Sequence, residues 1–242
     1  MDSPVISIIT VVYNTAATLE QTMLSVLNQS YPSKEYIVID GGSTDGSVEI
    51  IRKYESQLAY WVSETDKGIY DAMNKGIARA NGELIGILNA DDWYEPEILF
   101  EVANRYLETG KKQVLHGMMR NFQHDLFYNI TGNSIRRLRY DMIQHPTCFV
   151  PKKIYENFGC FDPAYKYSGD YDLIMRLVKN GIDFSFMELV MVNFRLDGTS
   201  SKPQADKEMW KIRMKYGLIS RMEGWIHLCL IPTKGVLKKW VG

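Results

Sequence analysis

The run from Val5 to Val12 (VISIITVV) constrains the fold more than any other feature of the chain. It is apolar and rich in β-branched residues, as expected of a strand buried on both faces. Both sides of such a strand must be covered, which points to a parallel sheet with helices on its two faces.

The chain that follows keeps to this plan. Asn14 or Thr15 can cap a helix in which Leu19, Met23, Val26, Leu27 and Ser30 share helical spacing, and Pro32 stops it. A second strand spans Tyr36 to Ile39, and a helix spans Ser47 to Gln57 with Val48, Ile51 and Tyr54 on one side. A third strand covers Leu58 to Val62, a helix Ile69 to Ala80, and a fourth strand Leu84 to Leu88. Strand–helix alternation with short loops implies right-handed crossovers and a mostly parallel sheet. After Gly110 the pattern is irregular. Short strands are predicted near Gln113 to Gly117, Leu126 to Ile130 and Thr147 to Val150, with helices at Asp170 to Lys179 and Pro203 to Tyr216.

In sheets of this kind ligands sit beyond the carboxyl ends of the strands. Asp40 ends the second strand, and Asp91 and Asp92 follow the fourth. Carboxylates at those edges are placed for a ligand. The adjacent pair in Asn89-Ala90-Asp91-Asp92-Trp93 is costly unless a cation is present. Oxygen ligands of this type suit Mg²⁺ or Mn²⁺, which bridge readily to phosphates. The alternative is a solvated acidic turn capping the next helix. In Asp40-Gly41-Gly42-Ser43-Thr44-Asp45-Gly46-Ser47, a carboxylate followed by glycines lets a ligand approach the backbone closely. The alternative there is a tight turn capped by Asp45 or Ser47. Gly41 and Gly46 have the spacing of a phosphate-binding P-loop, but Ser47-Val48 stands where Lys-Ser/Thr is needed. No G-x-G-x-x-G follows any strand, which argues against a dinucleotide enzyme.

Composition narrows the class. With 242 residues, 45% hydrophobic and a net charge of −1, the chain has an ordinary globular make-up and no global bias toward nucleic acid. Cys148, Cys160 and Cys229 have neither zinc-ligand spacing nor a disulfide pattern, so a reducing cytoplasm is the expected setting. No basic-then-apolar leader precedes the first strand.

Five segments in order resemble family 2 glycosyltransferases, which have the GT-A fold. They are Ile8-Ile9-Thr10-Val11-Val12-Tyr13-Asn14, the Asp40 to Gly46 segment, Glu64 to Gly76 (ETDKGIYDAMNKG), Asn89-Ala90-Asp91-Asp92, and Gly169 to Leu177 (GDYDLIMRL). The likeness covers roughly residues 5 to 195. It implies an α/β, Rossmann-like GT-A domain and a metal-dependent, inverting transferase. The donor is a nucleotide-sugar, UDP-linked in the usual case, and the cofactor Mn²⁺ or Mg²⁺. By position, Thr10, Val11 and Tyr13 line the nucleotide pocket and Asp40 hydrogen-bonds the base. Asp66 and Lys67 sit near the donor. Asp91 contacts the ribose or a metal-bound water, and Asp92 ligates the metal. Asp170 corresponds to the family's base, with a helix N-cap as its alternative role. Two departures stand out: Asn89 replaces the usual first carboxylate of the Asp-x-Asp-Asp form, and Gly169 replaces the carboxylate that commonly precedes the base. His145 and Trp93 are weaker acceptor-side candidates, with a structural histidine and a core anchor as their alternative roles.

From Met209 onward seven basic residues face Glu223 alone. Leu218, Ile219, Met222, Trp225, Ile226, Cys229 and Leu230 recur at helical spacing, and Val236, Leu237, Trp240 and Val241 do so after Pro232. The expectation is a transferase domain over residues 1–208 and a basic amphipathic segment over 209–242, read as lying on anionic membrane, with a helix packed back on the domain as the alternative. The acceptor would then be a glycan or lipid-linked glycan, as in bacterial surface polysaccharide assembly, and the enzyme peripheral on the inner face of the cytoplasmic membrane. A sugar nucleotidyltransferase needs a Gly-rich, basic loop after the first strand, which Tyr13-Asn14-Thr15-Ala16 does not supply. A non-catalytic sugar-nucleotide binder would keep Asp40, Asp91 and Asp92 without needing Asp170.

Overall fold

The computed structural model describes residues 3–196 and 203–237. Strand β1 (Ile6–Val12) is buried along its whole length. Its side chains alternate between two cores, with Ile6, Ile8 and Val12 on one side and Ile9 and Val11 on the other. Around it lie β2 (Lys34–Asp40), β3 (Tyr60–Ser63) and β4 (Leu84–Asn89), all parallel, in the order β3-β2-β1-β4. Helices α1 (Ala16–Leu27) and α4 (Ile98–Glu108) cover one face and α3 (Ile69–Arg79) the other.

Beyond β4 the sheet becomes mixed. It continues through β8 (Phe149–Pro151), β6 (Val114–Gln123), β9 (Phe184–Arg195) and β5 (Trp93–Tyr94), with β7 (Leu126–Thr131) pairing β6 as a hairpin. β8 is antiparallel to β4 and β6, whereas β6 and β9 run parallel. Helices α5 (Lys152–Phe158) and α6 (Gly169–Lys179) pack on the α3 side. A third core joins α6 to Ile212 of α7 (Pro203–Lys215) and to Leu138 and Ile143.

Several expected boundaries move. The helix from Ser47 ends at Lys53 as α2, and Glu55–Gln57 forms a separate 3-10 turn. β6 runs straight through Gly117, where a strand end was expected. A side chain there would meet the Met191 sulfur at 2.5 Å, so the glycine marks the close approach of β9. The boundary expected at residue 208 falls inside α7. α8 (Arg221–Leu237) passes through Pro232 as one helix; Trp240 and Val241 lie outside the described residues.

Candidate active site

The register of the parallel strands assembles the site. Val12 lies opposite Asp40 and Val11 opposite Asn89, so the loops after β1, β2 and β4 leave the sheet side by side. These loops also lock one another. The N-terminus of α1 takes side-chain caps from the β2 loop and not from the side chain of its own cap residue, Thr15: Ala16 N–H donates to Asp45 Oδ2 at 2.9 Å and Thr15 N–H to Ser47 Oγ at 3.1 Å. This is the usual economy of helix starts, whose first N–H groups lack intrahelical acceptors. Thr18 and Thr22 of α1 donate their hydroxyls to the carbonyls of Ala90 (3.0 Å) and Asp92 (2.6 Å), anchoring the acidic turn.

Asp40 is fully buried. Its Oδ2 accepts from Gly42 N–H (3.1 Å), Ser43 N–H (2.9 Å) and Ser63 Oγ (2.6 Å), and its Oδ1 accepts from the Ser43 hydroxyl. Both oxygens are thus engaged in shaping the loop. Thr10 is also fully enclosed, its hydroxyl receiving the Tyr36 hydroxyl at 3.0 Å, and Val11 is buried. Tyr13 is different: it is 64% exposed at the rim. Between Tyr13 and Asp66 lies Gly41, where a Cβ would stand 2.3 Å from Asp66 Oδ2 and 3.4 Å from the Tyr13 ring. Gly41 is thus flanked by an exposed aromatic ring and a carboxylate that leave no room for a side chain between them. Asp66 Oδ1 holds Gly68 N–H at 2.8 Å, and Lys67 is exposed beside it, with its own N–H on Asp71.

The carboxylate pair divides by depth. Asp92 is fully buried and Asp91 half-buried. Burial raises the Asp91 carboxyl, against the pull of Arg195. Asp92 is pushed well up, first by burial and then by the neighbouring Asp91 charge. Arg195, at the end of β9, faces this cost. Its backbone N–H donates to Asp92 Oδ1 (3.2 Å), and its guanidinium donates to the Asp91 carbonyl (2.6 Å) and Gln21 (2.7 Å). The same guanidinium lies over the Trp93 ring at 4.6 Å, and Phe122 packs beside that ring at 5.1 Å. Asp92 Oδ2 and Asn89 Oδ1 are both buried without a hydrogen-bond partner. Unpaired buried acceptors are rare and point to a missing proton or cation. Among the described residues no group of three or more His, Cys, Asp or Glu side chains could hold a metal ion. Mg²⁺ and its like need only one or two protein carboxylates when phosphates and water complete the shell. The donor set therefore fits a divalent cation that arrives with a diphosphate.

Asp170 stands in the first turn of α6, half-buried, and accepts the Tyr70 hydroxyl at 3.1 Å. His145 is buried with its ring edge-on to Phe161 at 5.4 Å. Burial lowers it, and the Asp170 charge opposes that. Two supports of Asp170 had no signal in the sequence. Glu208 of α7 accepts three successive backbone N–H groups, from Lys166 (3.0 Å), Tyr167 (2.8 Å) and Ser168 (2.9 Å). Lys215 pairs with the buried Asp172 at 2.7 Å. Both are contacts to helix α7, which a sequence pattern places on no particular neighbour.

The chain is similar to known proteins in sequence and in shape. The family model described as Glycosyl transferase family 2 matches residues 7–163. An uncharacterised glycosyltransferase of Mycobacterium tuberculosis is 32% identical over 180 residues, which is 72% of this chain and 69% of the relative. A PGL/p-HBAD biosynthesis glycosyltransferase of Mycobacterium bovis is 29% identical over 220 residues, or 87% of this chain and 84% of the relative. Among solved structures, residues 1–349 of S. aureus TarS in complex with UDP-GlcNAc superpose with a TM-score of 0.70 at 17% identity, covering 91% of this chain and 69% of that one. The mannosyltransferase PcManGT of Pyrobaculum calidifontis, in complex with GDP-Man and Mn²⁺, gives 0.68 at 17% identity, covering 88% and 63%. This chain spans 40% of the longer TarS chain. At these identities the structural likeness establishes the fold.

Proposed function

Because the chain belongs to glycosyl transferase family 2, we propose that it is an inverting transferase moving a sugar from a nucleoside-diphosphate sugar to an acceptor hydroxyl. The observation that carries this reading is the exposed Tyr13 ring and the Asp66 carboxylate on either side of Gly41, which we take as the walls of a donor slot beside the Asp91–Asp92 turn. A nucleobase stacks on an exposed aromatic ring and donates to a carboxylate. Asp66 Oδ2 serves that second role better than Asp40, whose oxygens are consumed by the loop. Asp91, the more exposed carboxylate, is the direct metal ligand in this reading. Asp92 sits behind it, the reverse of the order expected from the motif. A divalent cation bound there supplies charge neutralisation on the diphosphate.

The rest falls to the protein's own groups. Asp170 accepts the proton of the attacking hydroxyl. With the base on the face opposite the leaving group, attack inverts the anomeric centre. His145 and Trp93 line the acceptor side. UDP is the favoured nucleotide, since TarS is solved with UDP-GlcNAc, and a guanine nucleotide is the rival because PcManGT is solved with GDP-Man.

A lipid-linked acceptor is supported by α8. Met222, Trp225 and Ile226 are exposed on it, next to basic residues. Arg139 pairs with Glu223 of this helix at 3.5 Å, and Leu138 accepts the hydroxyl of Tyr171, which neighbours Asp170. The apolar face is thereby linked to the base. No helix among the described residues is long and apolar enough to cross a membrane, so the contact proposed is peripheral.

The test is a thermal-shift series with UDP and GDP, with Mn²⁺ and with EDTA. Stabilisation by one nucleotide that EDTA abolishes is the expected result. Absence of any shift with either nucleotide defeats the donor-site assignment.

A further inference from the structure

Gly169 precedes the base where a carboxylate is common, and the structure shows what occupies that space. A Cβ on Gly169 would lie 2.8 to 3.0 Å from three carbons of the Tyr70 ring. The ring is buried and stacked on Phe161, with centroids 5.4 Å apart and planes 23° apart. From this fixed position its hydroxyl donates to Asp170 Oδ1 at 3.1 Å. Tyr70 belongs to the first turn of α3, directly after the Asp66–Gly68 loop of the donor slot.

We propose that Tyr70 is the positioning residue for Asp170, its hydroxyl orienting the base carboxylate while Gly169 stays small so that the ring can reach it. This rests on the reading of Asp170 as the base. The hydroxyl is fitted to be a permanent donor: burial first, then the Asp170 charge, push it far above the usual tyrosine range. The other titratable groups that sense Asp170 are His145 and Cys148, both buried, and burial favours the neutral form of each. Neither forms a hydrogen bond to the carboxylate, so Tyr70 alone among these side chains fixes its rotation. The backbone just before is held by Glu208 on the Lys166–Ser168 amides, and the Tyr70 hydroxyl itself also stands against the Gly169 and Asp170 amides. Removing the Tyr70 hydroxyl should therefore release the carboxylate, while Glu208 keeps the turn that leads into its helix in place.

The experiment compares wild type, Tyr70→Phe, Gly169→Ala and Asp170→Asn. UDP release from UDP-GlcNAc, and GDP release from GDP-mannose, are followed with Mn²⁺, water serving as acceptor. Crystal structures of the variants record the Asp170 rotamer whichever donor is used. Tyr70→Phe keeps the ring and its packing, so it should fold. It is expected to lose about tenfold to a hundredfold in kcat with the donor KM unchanged, as misplacement of a reacting group does, and to show a rotated Asp170 carboxylate. Gly169→Ala, which pushes the ring aside, should lose a similar factor. The double variant should lose no more than either single one, because both break the same contact. If Asp170→Asn abolishes turnover while Tyr70→Phe keeps wild-type kcat, or if Asp170 keeps its rotamer in Tyr70→Phe, the positioning role is refuted and the base survives. If Asp170→Asn turns over normally, the base assignment falls and the positioning role falls with it.

Discussion

Asp40, expected from the motif to hydrogen-bond the nucleobase, has both carboxylate oxygens engaged by its own loop. A carboxylate reserved for the base would have a free oxygen facing the slot. Asp40 instead accepts four hydrogen bonds, two from backbone N–H groups and two from serine hydroxyls, and is fully buried. Asp40→Ala removes all four. Hydrogen bonds to an ionised group are each worth roughly 1.5–3 kcal/mol when their donors cannot find another partner. Here Gly42 and Ser43 are half-buried and Ser63 is exposed, so water recovers part of that sum. The expected loss is about 3 kcal/mol, a large share of the roughly 5–15 kcal/mol that holds a domain together. Urea unfolding followed by tryptophan fluorescence measures it, and calorimetry with UDP and Mn²⁺ measures binding in parallel. Asp40→Asn should lose less, since one oxygen remains. The outcome that refutes the argument is a stability loss under about 1 kcal/mol combined with a collapse in nucleotide affinity. That pattern belongs to a base contact and not to a loop support.

Three further perturbations probe other parts of the molecule. Gly41→Ala places a methyl on Asp66 Oδ2; calorimetry should show nucleotide affinity falling about tenfold, equivalent to about 1.4 kcal/mol, and a wild-type affinity would place the base elsewhere. His116 is buried between Phe184 and Phe186, and burial lowers it from 6.5 to about 4. The folded state keeps it neutral while the unfolded chain takes up a proton, so its contribution is full above pH 6.5 and is lost as pH falls toward 4. That is worth about 3 kcal/mol, and chemical unfolding of His116→Leu across this window should show a flatter decline than wild type. On α8, replacing Trp225 and Ile226 with glutamate should cut co-sedimentation with phosphatidylglycerol vesicles about tenfold, and equal binding would remove the membrane from the reading.

Much of this was readable in the sequence where local chemistry decides the structure. The uniform β1 run meant burial on both faces, and its side chains do feed two cores. The loops after Val12, Asp40 and Asn89 converge because parallel register leaves no other arrangement. The irregular half was less readable. β9 is twelve residues long, yet its exposure follows no alternation, because its register against β6 shifts twice and its partners lie far away in sequence. α5 is only seven residues long and starts with two lysines directly after Pro151, so its apolar face of Ile154, Tyr155 and Phe158 is too short to identify a helix by its period. Depth was unreadable too: Asp91 and Asp92 are neighbours in sequence, and only the backbone turn held by Thr18 and Thr22 decides which of them faces out.

The site's least readable strand is also the one that makes its most readable motif tenable. Two adjacent carboxylates in a partly buried turn repel by something on the order of 3 kcal/mol under ordinary protein screening, and burial adds to that. Arg195 answers both terms from the end of β9. It binds the turn through a backbone N–H and a carbonyl contact, so it lends positive charge without placing its guanidinium on either carboxylate's oxygens. Gln21, Asp125 and the Trp93 ring hold the guanidinium in that posture. A direct ion pair would have filled the very oxygens a cation needs. Contact through the carbonyl leaves the Asp91 carboxylate clear of the guanidinium, with Asp92 behind it. The arrangement eases the repulsion within the pair and keeps the Arg195 guanidinium off the Asp91 carboxylate, which suits the proposed uptake of a cation together with a diphosphate.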